Sequence, residues 1–136
     1  MVDSSVEPHG EPAIRVMMMP RDTNPSGTIF GGVILSYIDQ AGGIEAHKLS
    51  PHRLVTVAMD SVQFKEPVYV GDMLSFYAKV VSIGRTSVRI RVDVEATRYR
   101  EPQVRVPVTT AEIIYVAVDE NQRPIPVRSV PPASST

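Results

Sequence analysis

Residues 29–48 read IFGGVILSYIDQAGGIEAHK, and the spacing within them decides the fold. Val33, Ile34, Tyr37, Ile38, Ala41, Ile44 and Glu45 recur at helical intervals, while Leu35 and Ala46 put apolar groups elsewhere around the same axis. A helix apolar on most sides is expected to be buried and wrapped by the rest of the chain. Gly42 and Gly43 cost roughly 1 kcal/mol each relative to alanine in a helix, so something is expected to approach that backbone closely. The helix is expected from Ile29 to about Lys48, ending before Ser50-Pro51.

Outward from the helix the period changes to two. Residues 54–64, 73–83, 86–98 and 104–118 read as strands, and 13–19, closed by Pro20, as a short first strand. In 86–98, Val88, Ile90, Val92 and Val94 face one way and Ser87, Arg89, Arg91, Asp93 and Glu95 the other, which predicts one core face and one wet face. Residues 113–118 are apolar on both faces, so that strand should be central or lie in a subunit contact. Val70-Gly71-Asp72 and Ile83-Gly84-Arg85 supply turns, and residues 21–27 concentrate turn formers in a loop where Pro25 pushes Asn24 into an extended conformation. Strand, long helix and four largely antiparallel strands make an α+β domain in which one sheet curls around one helix.

At 136 residues one domain is expected over 1–136, with an ordered core from about 12 to 120 and flexible tails at 1–11 and 121–136. A formal charge of −1 leaves no global field to recruit nucleic acid or an anionic membrane. The absence of cysteine excludes a thiolate nucleophile, a disulfide framework and thiolate metal sites. His9, His47 and His52 form no ligand pattern, so no metal is expected. The polar start lacks the basic and apolar regions of a signal peptide, and no window approaches the roughly 20 apolar residues of a membrane helix, so a cytoplasmic address is expected.

The run Asp22-Thr23-Asn24-Pro25-Ser26-Gly27-Thr28-Ile29-Phe30-Gly31-Gly32, followed by Asp39-Gln40-Ala41-Gly42-Gly43, resembles the acyl-CoA thioesterases of the hotdog superfamily. The subgroup it looks like is the bacterial acyl-CoA hydrolases related to the brain-type cytosolic enzyme. Val55-Thr56-Val57-Ala58, the Phe64, Pro67, Gly71-Asp72 series and Gly84-Arg85-Thr86-Ser87 extend the resemblance over most of residues 14–119. It implies a curved antiparallel sheet around a central helix, homodimers that assemble into hexamers, and hydrolysis of fatty acyl-CoA without a cofactor, CoA being part of the substrate. By position it implies Asp39 as general base on water, Asn24 as the loop residue facing the thioester, and Gly31 and Gly32 as the oxyanion site. Phe30 and Thr56 would contact the substrate, with Arg85, Thr86 and Ser87 near the CoA phosphates. The tail from Asn121 carries no family motif, and the 100–107 connection is short and bounded by proline.

The chemistry suits these residue types. A glycine turn that opens a helix offers unpaired amides and the positive end of the dipole to a developing oxyanion, and a carboxylate can accept a proton from water. Length adds a constraint: the seven residues from Gly32 to Asp39 span about 10 Å at ~1.5 Å per residue, beyond the reach of an aspartate. If both act on one thioester they come from different subunits across a two-fold axis. Two other readings of the fold are a hydratase acting on acyl-CoA or acyl-carrier protein, which calls for a histidine in the motif region, and a non-catalytic acyl-CoA-binding module, which predicts loss of Asp39 or of the glycine turn.

Overall fold

A strand with a methyl group at every second position needs a cover, and the long helix provides it. In the computed structural model, which describes residues 10–128, the elements are β1 (Ile14–Met17), α1 (Gly31–His47), β2 (Arg53–Phe64), β3 (Met73–Ile83), β4 (Ser87–Arg98) and β5 (Glu101–Val118). All strand pairs are antiparallel, in the order β1-β3-β4-β5-β2. Val88, Ile90, Val92 and Val94 of β4 are buried against Ile34, Ile38, Ala41 and Ala46 of α1, with Phe76 and Ile113 completing the layer. The alternation read from the sequence is present residue for residue on β4.

The opposite face of β4 is held by ions. Arg89 donates to Asp60 of β2 at 2.9 Å and to Glu112 of β5 at 2.8 Å, and Arg91 pairs with Asp93. These arginines therefore sit on the wet face, as expected, with Arg89 tying β4 to β5 and β2 and Arg91 paired within its own strand.

Several boundaries moved, each for an identifiable reason. The helix starts at Gly31 rather than Ile29 because the Ile29 and Phe30 amides are taken by Val68 and Asp22 carbonyls at 2.8 and 2.9 Å. The expected connection at 100–107 is strand: β5 begins at Glu101, paired with Arg98, and only Tyr99-Arg100 turn. Pro107 is accommodated opposite Glu95, where the register shifts and a missing amide does least harm. β2 does not pair with β3. The segment 65–72 instead crosses beneath the start of α1, and Gly71, at φ +92°, turns the chain into β3. Interior β5 agrees with its two apolar faces, whereas β2 is a twelve-residue edge.

The sheet covers only one side of α1. Ile34, Ile38, Ala41, Gly42 and Ala46 are buried, while Ile44 keeps 43% of its surface exposed, so a single chain leaves the expected wrapping incomplete. Of the two glycines expected to admit a neighbour, Gly42 does: a Cβ there would run into the Tyr115 hydroxyl and stand 3.2 Å from Ile113 Cδ1. Gly43 has no such crowding, its nearest neighbour being Tyr115 Cε1 at 4.0 Å.

The segment 121–128, expected to belong to a flexible tail, is instead tied down. Pro124 bridges to Val118, the Ile125 amide donates to Ala117 O at 2.8 Å, and the Val127 amide donates to Arg85 O at 2.8 Å. Ser50 Oγ donates to Val127 O at 2.6 Å, and the Val127 side chain is 1% exposed. The tails expected at 1–9 and 129–136 lie outside the described residues. Val127→Ala should lower stability by about 1–2 kcal/mol through lost burial and a residual cavity, read as a reduced midpoint in urea or thermal unfolding; an unchanged midpoint would return the segment to the tail.

Candidate active site

The site starts where the chain enters α1. Asn24 organises the preceding loop: its Oδ1 accepts from the Ser26 and Thr28 amides at 2.9 and 3.1 Å, and its Nδ2 donates to Thr28 Oγ1 at 2.9 Å. Thr23 bridges to Ile29, closing the loop, so Phe30 arrives extended (ψ 133°) and the helix begins abruptly at Gly31. The amides of Gly31 and Gly32 donate to no group among the described residues, as expected for the first turn of a helix. Gly32 is exposed with nothing within 4 Å of where a Cβ would stand, whereas a Cβ at Gly31 would stand 3.1 Å from the Phe64 ring. Beside this turn is a cleft of about 310 Å³ lined by Thr28, Ile29, Gly31, Ile34, Phe64 and Val68.

Two turns along the same helix stands Asp39. Thr56 Oγ1, on edge strand β2, donates to Asp39 Oδ1 at 2.8 Å. Tyr115 of β5 sends its hydroxyl to the Asp39 main-chain carbonyl at 2.6 Å and to Oδ1 at 3.2 Å. The other carboxylate oxygen, Oδ2, accepts nothing from the described residues. Burial, with the Asp39 carboxylate beside it, pushes the Tyr115 phenol well above its usual range, so it remains a proton donor. Tyr115 also opens onto a cleft of about 650 Å³ shared with Gln40, Gly43, Ile44, His47 and Leu54.

Arg85 and Thr86 lie in the turn between β3 and β4 and Ser87 opens β4, with the Gly84 amide donating to Ser87 O at 2.8 Å. Arg85 is joined through Val127 to Ser50, just beyond the C-terminal end of α1. The residues singled out in the sequence thus lie in three places along one helix of 17 residues. Phe30, Gly31 and Gly32 are at its start, Asp39 and Thr56 at its middle, and the arginine turn past its end. Only Asp39 and Thr56 are brought into contact. Asn24 is spent largely on its own loop. Tyr115 was missed because it was counted among the apolar residues of its strand; the signal for it was Gly42, a helix glycine needing a close neighbour.

The thioesterase superfamily pattern matches residues 26–102, covering the glycine turn, Asp39, Thr56 and the arginine turn. The chain belongs to that family. Its single helix on a five-stranded antiparallel sheet is the hotdog fold. A Zymomonas mobilis protein named as an uncharacterised acyl-CoA thioester hydrolase is 44% identical over 129 residues, covering 95% of this chain and 84% of that one. A hexameric hotdog fold thioesterase from Campylobacter jejuni superposes with a TM-score of 0.83 at 47% identity, over 89% of this chain and 92% of that one. An acyl-CoA hydrolase from Staphylococcus aureus, 28% identical, has been solved as an Asp→Ala variant (TM-score 0.75) and a Thr→Ala variant (0.76). Both superpositions cover 84% of this chain, and 69% and 70% of the respective variant chains. The two altered positions are seventeen residues apart, the same interval that separates Asp39 from Thr56.

Among the described residues no three His, Asp or Glu side chains lie close enough to hold a metal ion, and no helix is long and apolar enough to cross a membrane. His47 is eight residues from Asp39, about 12 Å along the helix, so these two side chains do not form a hydratase-like histidine and acid pair within one subunit.

Tyr115 gives the site a measurable alkaline signature. The unfolded chain ionises a tyrosine near pH 10 while the folded chain keeps this proton, so the stabilisation is whole below about pH 10 and is lost as pH rises beyond it. Above that pH the wild-type unfolding free energy should fall more steeply than that of Tyr115→Phe, by up to roughly 1.4 kcal/mol per unit. Parallel slopes in alkaline denaturant titrations would show the hydroxyl to be solvated.

Proposed function

We propose that the chain hydrolyses acyl-CoA thioesters to a free acid and CoA, using water activated by Asp39. The observation that carries this reading is the Asp39 to Thr56 hydrogen bond on the exposed side of α1, at the interval altered in the Staphylococcus aureus acyl-CoA hydrolase. Water attacks the thioester carbonyl carbon as Asp39 Oδ2 takes its proton. The oxyanion collapses, the carbon–sulfur bond breaks, and the CoA thiolate leaves and is protonated. The Gly31 and Gly32 amides, unpaired at the positive end of α1, suit the oxyanion. This chemistry asks for no cofactor beyond the CoA of the substrate, and we assign it to one domain working in the cytoplasm.

One chain cannot assemble these parts. Gly32 and Asp39 share a helix and lie about 10 Å apart along it, and the arginine turn lies beyond the opposite end from the glycines. β2 offers a way to join two chains: it is a long edge with one row of backbone groups unpaired, it carries Thr56, and Val57 on it is 54% exposed. A second copy related by a two-fold axis and meeting β2 and the bare side of α1 would bring its own glycine turn to Asp39. Each dimer then holds two composite sites, and dimers assemble into the hexamer described for the Campylobacter jejuni relative. Phe30 and Thr56 would border the acyl group, and Arg85, Thr86 and Ser87 the CoA phosphates, while Asn24 acts by shaping the loop into α1.

Asp39→Ala should reduce CoA release from an acyl-CoA panel by at least about a hundredfold, the scale of a lost general base; a variant as fast as wild type across the panel would end the reading. Co-expression of Asp39→Ala with a chain carrying a bulky residue at Gly32 should restore part of the activity, since one of the two sites in each mixed dimer is intact. Arg85→Ala should raise KM for acyl-CoA severalfold and leave acyl-N-acetylcysteamine, which lacks the nucleotide, unaffected. Equal effects on both substrates would remove Arg85 from the phosphate site.

A further inference from the structure

Asp39 has two carboxylate oxygens, and the fold treats them differently. Oδ1 accepts from Thr56 Oγ1 at 2.8 Å and faces the Tyr115 hydroxyl at 3.2 Å, while Oδ2 accepts nothing from the described residues. The Tyr115 hydroxyl is also bound at 2.6 Å to the main-chain carbonyl of Asp39 itself. We infer that Tyr115 is a positioning residue for hydrolysis, fixing the Asp39 backbone and turning Oδ2 toward the water.

This inference rests on the assignment of Asp39 as the base. Its own support is the fit between Tyr115 and α1. A hydroxyl can reach a carbonyl inside a helix only where the adjoining surface is bare, and Gly42 supplies that gap; any side chain there would run into the hydroxyl. The glycine is unfavourable for the helix in isolation, which makes sense if the approach of the ring is what it provides. Tyr115 is 3% exposed on an interior strand of the sheet, with its ring packed against α1 at Gly42. The raised phenol pKa keeps the proton on its oxygen, so it donates and never competes for the water proton. Thr56 holds the same carboxylate oxygen from the edge strand, so two hydroxyls from two strands set one aspartate.

The test measures Tyr115→Phe beside wild type and Asp39→Ala, on the best acyl-CoA of the panel. Tyr115→Phe should lower kcat about tenfold or more, the scale of one hydrogen bond to a charged group, with KM within about twofold of wild type. Gly42→Ala, which displaces the hydroxyl without removing it, should show the same split. Because both act through one contact, the double variant should be no slower than the slower single one. An unchanged kcat for Tyr115→Phe with Asp39→Ala inactive overturns the positioning role alone. A proportional rise in KM, or multiplicative losses in the double variant, overturns it as well by making Tyr115 part of the general framework. An active Asp39→Ala strikes instead at the assignment of the base.

Discussion

The contact between α1 and β5 at Gly42 is the one on which the rest depends. A helix crosses a sheet at a distance set by the side chains between them, and here one of those side chains is absent so that a tyrosine can take its place. The result is a rigid reference point midway along the helix. From it Asp39 points to the edge strand, Ile38 and Ala41 to the core, and Ile44 to the side that one chain leaves bare. A methyl group at that point would run into Tyr115 and Ile113 whereas one at Gly43 would not, which is why Gly42 and Gly43, adjacent and identical, have different significance.

The second determinant is the crossover of the chain between β2 and β3. Had β2 paired with β3, as a meander would, Thr56 would lie away from β5 and Tyr115. By crossing to the far side of β5, the chain sets Thr56 directly opposite Tyr115, and both hydroxyls converge on Asp39. The same crossover leaves β2 as an edge. Long apolar edges invite pairing with another strand, so the path that brings Thr56 to Asp39 also exposes the surface on which the second subunit of the proposed dimer would dock. The C-terminal segment adds a third tie, joining the arginine turn to the residues just after α1 through Val127.

Much of this was legible in the linear sequence. Val88, Ile90, Val92 and Val94 at alternate positions and Val33, Ile34, Tyr37, Ile38, Ala41 and Ile44 at helical spacing defined the layers, because periods of 2 and 3.6 are properties of the backbone and need no partner. The glycine turn, Asp39, Thr56 and the arginine turn were found through a family resemblance, and helix rise alone showed that two of them could not meet within one chain. Less legible were contacts of high sequence separation. Tyr115 is 76 residues from Asp39 and Val127 is 77 from Ser50, and nothing in 113–118 or 121–127 distinguishes these residues from ordinary apolar strand and polar tail.

The sequence by itself determined which residues turn inward, where the helix lies, and that its first turn and its aspartate are about 10 Å apart, since each follows from local geometry. Only the tertiary structure decided which strand lies beside which, and therefore that Thr56 and Tyr115 reach the same carboxylate while Asn24 is absorbed by its own loop. Strand order depends on the balance of burial over the whole sheet, and hydrogen bonds between distant segments are chosen only after that balance is struck.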